Sequence, residues 1–189
     1  MVGSFGIRFP ETILMNVDES DYEWLVEMYY ASLYRFALSL SRHEQHASDL
    51  VQETFCRLAA KGQQLRDPSK AKTWLFTTLY REFLRNRREE SRFDSIEVIS
   101  GRDEPSAPDT AVQNRIDGAQ AKDALMQIDE LYRAPLALFY LEEHSYVQIA
   151  EILGIPIGTV MSRISRGREM LRKLLADKAE TILTRYAKA

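Results

Sequence analysis

The chain has 189 residues, 45% of them hydrophobic, and a formal net charge of −3 at pH 7. That length holds one large domain or two small ones, and the single cysteine, Cys56, excludes an internal disulfide and any CxxC metal site. No run of about 18 apolar residues exists, so no membrane insertion is expected, and the start of the chain lacks the basic stretch and apolar core of a signal peptide, so a cytoplasmic location is expected.

Residues 1–17 carry no pattern and are expected to be poorly ordered. The first helix is predicted from about Tyr22 to Ser41, with Leu25, Met28, Tyr29, Leu33, Phe36, Ala37 and Leu40 at helical spacing. The run Glu11–Tyr30 carries six acids (Glu11, Asp18, Glu19, Asp21, Glu23, Glu27) and no base. A second helix is predicted from about Ala47 to Ala60. In it Val51, Phe55 and Leu58 recur at i, i+4, i+7 and point inward, whereas Asp49, Gln52, Glu53 and Cys56 share the opposite side. Periodicity alone makes that side a solvated acidic face with a Glu53–Arg57 pair. Nothing nearby supplies a pocket, nucleophile or metal partner, so the carboxylates are not a catalytic pair. The histidines (His43, His46 and His144) show no ligand pattern and read as surface residues.

A loop with Gly62 and Asp67-Pro68 as breakers leads to a third helix, from near Ser69 to about Arg92. Trp74, Phe76, Tyr80 and Phe83 alternate there with Arg81, Arg85, Arg87 and Arg88. Unpaired bases stack on aromatic faces while guanidinium groups hold phosphates. Trp74 and Leu75 read more readily as core; the basic end points to nucleic acid. Residues 94–117 shift to Ser, Asp, Glu and Pro without an apolar stripe, the composition of a linker. Helical patterning resumes near Gly118, with Leu125, Ile128 and Leu131, and a new start is expected near Ala134-Pro135.

The stretch SYVQIAEILGIPIGTVMSRISRGR, Ser145–Arg168, carries the densest signal. Ser145 and Gln148 have capping-box spacing, Gly154 suits a left-handed helix end, and Pro156 and Gly158 set up a second start. In the second helix Val160, Ile164, Gly167, Leu171 and Leu174 face a core, leaving Thr159, Ser162, Arg163 and Arg166 to face outward. A polar helix start followed by arginines suits entry into a major groove with phosphates held on either side. Six bases (Arg163, Arg166, Arg168, Arg172, Lys173, Lys178) against two acids (Glu169, Asp177) make this end locally basic despite the acidic total.

LYRFALSLSR, DLVQETF, TWLF and SYVQIAEILGIPIGTVMSRISRGREML, in that order, resemble the bacterial RNA polymerase sigma factors of the extracytoplasmic-function group, over about Tyr22–Leu175. The resemblance implies an all-α fold: two small helical domains joined by a flexible linker, the second containing the helix-turn-helix. Residues 18–93 would bind polymerase core and the −10 element, 94–117 form the linker, 118–180 bind the −35 element, and 181–189 form a tail. Asp49, Gln52, Glu53 and Arg57 would face the polymerase. Trp74, Tyr80, Arg81, Arg85 and Arg88 would lie along the −10 strand. Met161, Ser162 and Ser165 would approach −35 base edges, with Thr159, Arg163, Arg166 and Arg168 on phosphates. No cofactor or metal is expected, and the chain is not read as an enzyme.

Three differences from the family pattern stand out. Tyr80-Arg81 stands where an Arg-Asn pair is usual, Met161 where Arg or Lys is common, and His46-Ala47-Ser48-Asp49 where Asp-Ala-Glu-Asp is common. The last difference makes Ser48 and then Thr54 candidate sites at which a Ser/Thr kinase would restore docking charge; an anti-sigma factor is the alternative regulator. Two other functions remain open on the residues alone. An operator-binding regulator would not need the DLVQETF face, and a mimic that titrates an anti-sigma factor would not need the basic faces.

Overall fold

The computed structural model describes residues 19–61, 67–94 and 118–187. The readings of 1–17 as an extension and, from residue 95 on, of 94–117 as a linker lie outside the described residues; Asp94 is the last residue of the third helix. All regular structure among the described residues is helical: α1 Glu19–Ser41, α2 Glu44–Lys61, a 3-10 turn Pro68–Lys70, α3 Ala71–Asp94, α4 Gly118–Gln127, α5 Glu130–Tyr140, α6 Tyr146–Leu153 and α7 Ile157–Ala187.

Helices α1, α2 and α3 pack against one another as a first unit, and α4 to α7 form a second around α7. In the first unit Leu25, Leu33 and Phe36 of α1, Val51 and Leu58 of α2, and Leu75, Phe76 and Leu79 of α3 are almost fully buried. These positions follow the three-and-four spacing that buries one helix face. Leu75 is core as expected, and Trp74 is half-buried against it.

Local chemistry sets the helix ends. α1 has no glycine at its C-terminus; Arg42 takes the left-handed position (φ 63°) and donates its N–H to the Leu38 carbonyl at 2.9 Å. Asp67 starts the 3-10 turn, accepting from the Ser69 N–H at 3.0 Å and hydroxyl at 2.6 Å.

The helix start expected near Ala134-Pro135 is corrected. α5 begins at Glu130, because the Asp129 carboxylate accepts the Leu131 N–H at 2.8 Å and caps it. Pro135 lies inside the helix, so the Leu131 carbonyl lacks its usual donor there. Burial of Ala134, Pro135, Leu136, Ala137 and Leu138 offsets that loss. The backbone of α7 also runs on to Ala187, through residues assigned to a tail, because no glycine or proline follows Gly167.

Candidate nucleic-acid and protein interfaces

The helix-turn-helix forms as its sequence dictates. The Ser145 hydroxyl accepts the Gln148 N–H at 3.3 Å while the Gln148 side chain accepts the Ser145 N–H at 2.9 Å, closing the capping box. Gly154 is left-handed (φ 64°) and ends α6. α6 and the first part of α7 then meet at 103°, within the range of helix-turn-helix units. Val160, Ile164 and Gly167 are buried. Met161 is 53% exposed, and Ser162, Ser165, Arg166 and Arg168 are exposed beside it. Thr159 is half-buried, and its carbonyl accepts the Ser162 hydroxyl at 3.0 Å. Arg163, expected to face outward, is half-buried, and its charge acts on Tyr80 of α3.

The α3 candidates divide between surfaces. Arg81 and Arg88 are exposed. Tyr80 is half-buried; burial and then Glu130 push its phenol pKa up, while Arg163 and Arg87 pull it down. Arg85 turns toward α2, 2.7 Å from Glu82 and 3.9 Å from Glu53. Arg57 joins the same network, 3.0 Å from Glu53 and 3.1 Å from Glu82. Arg85 is exposed like Arg81 and Arg88, and this network holds it on the side of α3 that faces α2. Glu82, which the sequence reading passed over, is the buried acceptor between the two arginines. Its neighbours in sequence give no hint of Arg57, which comes from another helix.

On α2, Asp49, Gln52 and Cys56 are exposed, and Glu53 and Arg57 are half-buried. Asp49 accepts from the Gln45 side chain at 3.1 Å. Thr54 is corrected as a modification site. It is fully buried with Ala47, Leu50, Val51, Phe55 and Leu58, and its hydroxyl donates to the Leu50 carbonyl at 2.7 Å. A kinase would have to unfold the helix to reach it. Ser48 is half-buried. Because α2 begins at Glu44, Ser48 lies beyond the first turn, where the helix dipole gives a phosphate little support.

A polar seam joins the two units. Arg35 of α1 donates to both oxygens of Glu142 at 3.1 Å, and the Glu142 side chain is 1% exposed. Lys72 of α3 donates to the Glu142 carbonyl at 2.5 Å. Arg133 of α5, buried, donates to the Ser39 carbonyl and, at 3.4 Å, to that of Leu40, both at the end of α1. It also donates to the Ile128 carbonyl at 2.6 Å. Burial, then Arg42, lowers its pKa to about 10, so it remains a cation at neutral pH and complements the helix C-terminus. Arg42 adds a bond to the Ile128 carbonyl at 3.2 Å, and Arg87 pairs with both oxygens of Glu130 at 2.7 and 2.6 Å.

His144, read as a surface residue, is 2% exposed. It stands edge-on to Phe76 with ring centroids 4.7 Å apart, and neither ring nitrogen has a partner of good geometry. Desolvation, then the Lys72 ammonium, lowers its pKa to about 4, against a smaller opposing pull from Gln148. The ring is therefore neutral in the fold. Its contribution to stability is full above pH ~6.5 and is lost as pH falls toward its folded value. Glu142, raised by burial, works in the opposite sense at lower pH. The expected result is a stability loss on the order of 1 kcal/mol between about pH 7.5 and 5.5 that is absent in His144→Gln. Urea midpoints of both chains at the two pH values measure it; equal pH slopes would show that His144 titrates normally.

Residues 25–93 match the family "Sigma-70 region 2", and residues 119–171 match "Sigma-70, region 4". The chain is 32% identical over 162 residues to the ECF RNA polymerase sigma factor SigL of Mycobacterium tuberculosis, covering 83% of this chain and 90% of that one. It is 28% identical over 173 residues to the ECF RNA polymerase sigma factor SigW of Bacillus subtilis, covering 85% and 91%. Its fold matches the sigma factor RpoE from Bartonella quintana, solved in complex with the anti-sigma factor NepR. That match has a TM-score of 0.68 and 32% identity, and covers 83% of this chain and 98% of the other.

Proposed function

The chain belongs to the extracytoplasmic-function (ECF) RNA polymerase sigma factors, and from that membership we propose how its surfaces divide the work. It binds polymerase core and promoter DNA and directs initiation. The exposed side of α2, with Asp49, Gln52, Glu53 and Arg57, is the polymerase-docking face. Arg81 and Arg88, with Trp74 and Tyr80, form the −10 surface; Arg85 supports it from the side through Glu82. Met161, Ser162 and Ser165 read −35 base edges, with Arg166 and Arg168 on the flanking phosphates and Thr159 and Arg163 closer to the domain body. The observation that carries this reading is the capped, sharply angled α6–α7 pair presenting exposed side chains on the same chain as the acidic α2 face.

Regulation by an anti-sigma factor is the favoured mode. It is supported by the likeness to a sigma factor solved with one, and by the burial of Thr54, which leaves Ser48 alone of the two proposed kinase targets with any exposure.

Run-off transcription with polymerase core on a promoter library tests the function; no promoter-dependent product would overturn it. On a selected −35 duplex, Arg166→Ala and Arg168→Ala are each expected to reduce the salt slope of binding by about one unit, with sequence preference kept. Ser162 and Ser165 changes are expected to alter preference instead. Unchanged slopes in both arginine variants would remove these residues from the phosphate contacts.

A further inference from the structure

We propose that α7 reads a thymine. The start of the helix packs Met161 against the 5-methyl group of a thymine in the −35 element, while Ser162 accepts from the amino group of the paired adenine. This rests on the −35 reading above and names what that surface recognises.

A helix that enters a major groove touches base edges with its N-terminal residues. In this chain the stretch Ile157–Ile164 holds a single charged side chain, Arg163. Arg163 is half-buried with its charge acting on Tyr80 of α3, and it points about 160° away from Met161 around the helix. The first exposed guanidinium, Arg166, comes about 7.5 Å beyond Met161 along the axis. Guanine is read by paired donors from Arg or Lys, and the start of α7 offers neither. It offers an apolar group instead. Val160 and Ile164 are buried and fix the rotation of the helix. That leaves Met161 53% exposed and Ile157, one turn before it on the same side, 46% exposed. The thymine methyl is the apolar feature that a base pair shows in the major groove.

Ser162 narrows the choice. Its hydroxyl donates to the Thr159 carbonyl at 3.0 Å, which uses its one hydrogen and leaves an exposed acceptor. An acceptor suits the amino group of adenine or cytosine and is repelled by the guanine O6. Only a pair of adenine and thymine shows a methyl and an amino group together. Arg166 and Arg168 follow on the same helix, exposed, and suit the flanking phosphates. Two apolar side chains beside such charge fall far short of the about 20–30 residues that each side of a stable protein interface supplies. The occupant is therefore a base edge and not a protein surface.

The test uses holoenzyme assembled from polymerase core and the full chain, on a promoter taken from the run-off library. Each −35 thymine is replaced in turn by deoxyuridine, which lacks only the methyl. Replacement at one position is expected to weaken binding about fourfold, the effect of withdrawing one buried methyl. In Met161→Ala that ratio is expected to fall to about one, with the salt slope unchanged because no phosphate contact is lost. At the same position 5-methylcytosine is expected to bind about fourfold more tightly than cytosine. Replacing the paired adenine by purine, which lacks the amino group, is expected to weaken wild type and leave Ser162→Ala unaffected. Met161→Lys is expected to turn the preferred base there from thymine to guanine. Binding indifferent to deoxyuridine at every position, or a methyl effect that survives in Met161→Ala, overturns the thymine contact. A purine effect that persists in Ser162→Ala overturns the adenine contact. A holoenzyme that uses promoters with any sequence at −35 overturns the −35 reading itself, and this proposal with it.

Discussion

Reversing Asp49 and Glu53 to Lys together is expected to abolish binding to polymerase core while the chain stays folded. Asp49 is exposed and accepts a hydrogen bond from the Gln45 side chain on the same helix. Glu53 is 42% exposed at its side chain, and its partner Arg57 keeps a second acceptor in Glu82. Losing these surface pairs costs about 1 kcal/mol or less each. At a docking face the balance is different. Truncating one partner of a desolvated charge pair costs about 2–5 kcal/mol, and two reversals add repulsion to that loss. The combined effect is a weakening of at least about a thousandfold. Competition against labelled wild type for polymerase core measures it, with circular dichroism as the folding control. Wild-type affinity in a folded double variant would move the docking site off α2.

Gly167→Ala is expected to destabilise the chain, although helix propensity alone favours alanine by about 1 kcal/mol. A Cβ at this position would stand 2.7 Å from Leu136 Cδ1, 3.1 Å from its Cγ and 3.3 Å from Tyr132 Cβ. Leu136 is 1% exposed and has nowhere to retreat. Overpacking of this kind costs about 1–3 kcal/mol, so the net loss is up to about 2 kcal/mol. Gly167→Leu forces α5 and α7 apart and is expected to eliminate −35 duplex binding, because the same helix carries the exposed reading face. Urea midpoints and duplex binding report the two effects. An alanine variant more stable than wild type would mean that α5 and α7 do not approach closely there.

Much of the architecture was legible locally. The apolar spacing of α1, α2 and α3, the capping box at Ser145 and Gln148 and the left-handed Gly154 depend on neighbours within one or two turns, and the structure forms each as its residues require. Thr54 was legible too: it lies four residues from Leu50 and three from Val51, on the buried stripe, but its hydroxyl drew attention to phosphate chemistry instead. Pro135 misled because proline usually marks a helix start, whereas the Asp129 cap six residues earlier outweighed it. The outward group on α7 divided for a different reason. Met161, Ser162, Ser165, Arg166 and Arg168 reach solvent, but Arg163 is half-buried with its charge acting on Tyr80 of the first unit, which no helical wheel of α7 contains.

By itself, then, the sequence determined which segments are helical, where α6 stops and α7 begins, and which faces of each helix are apolar, because periodicity and capping act over a few residues. Tertiary structure alone decided that Glu82 joins Arg57 to Arg85, that Arg133 caps the end of α1, and that Glu142 meets Arg35 and Lys72 in a seam enclosing His144. A charged side chain reads as a solvated one until its partner is known, and here the cross-helix partners come from segments 25 to 107 residues away. Only the packing of one helix on another brings such groups within hydrogen-bonding distance and removes the water between them.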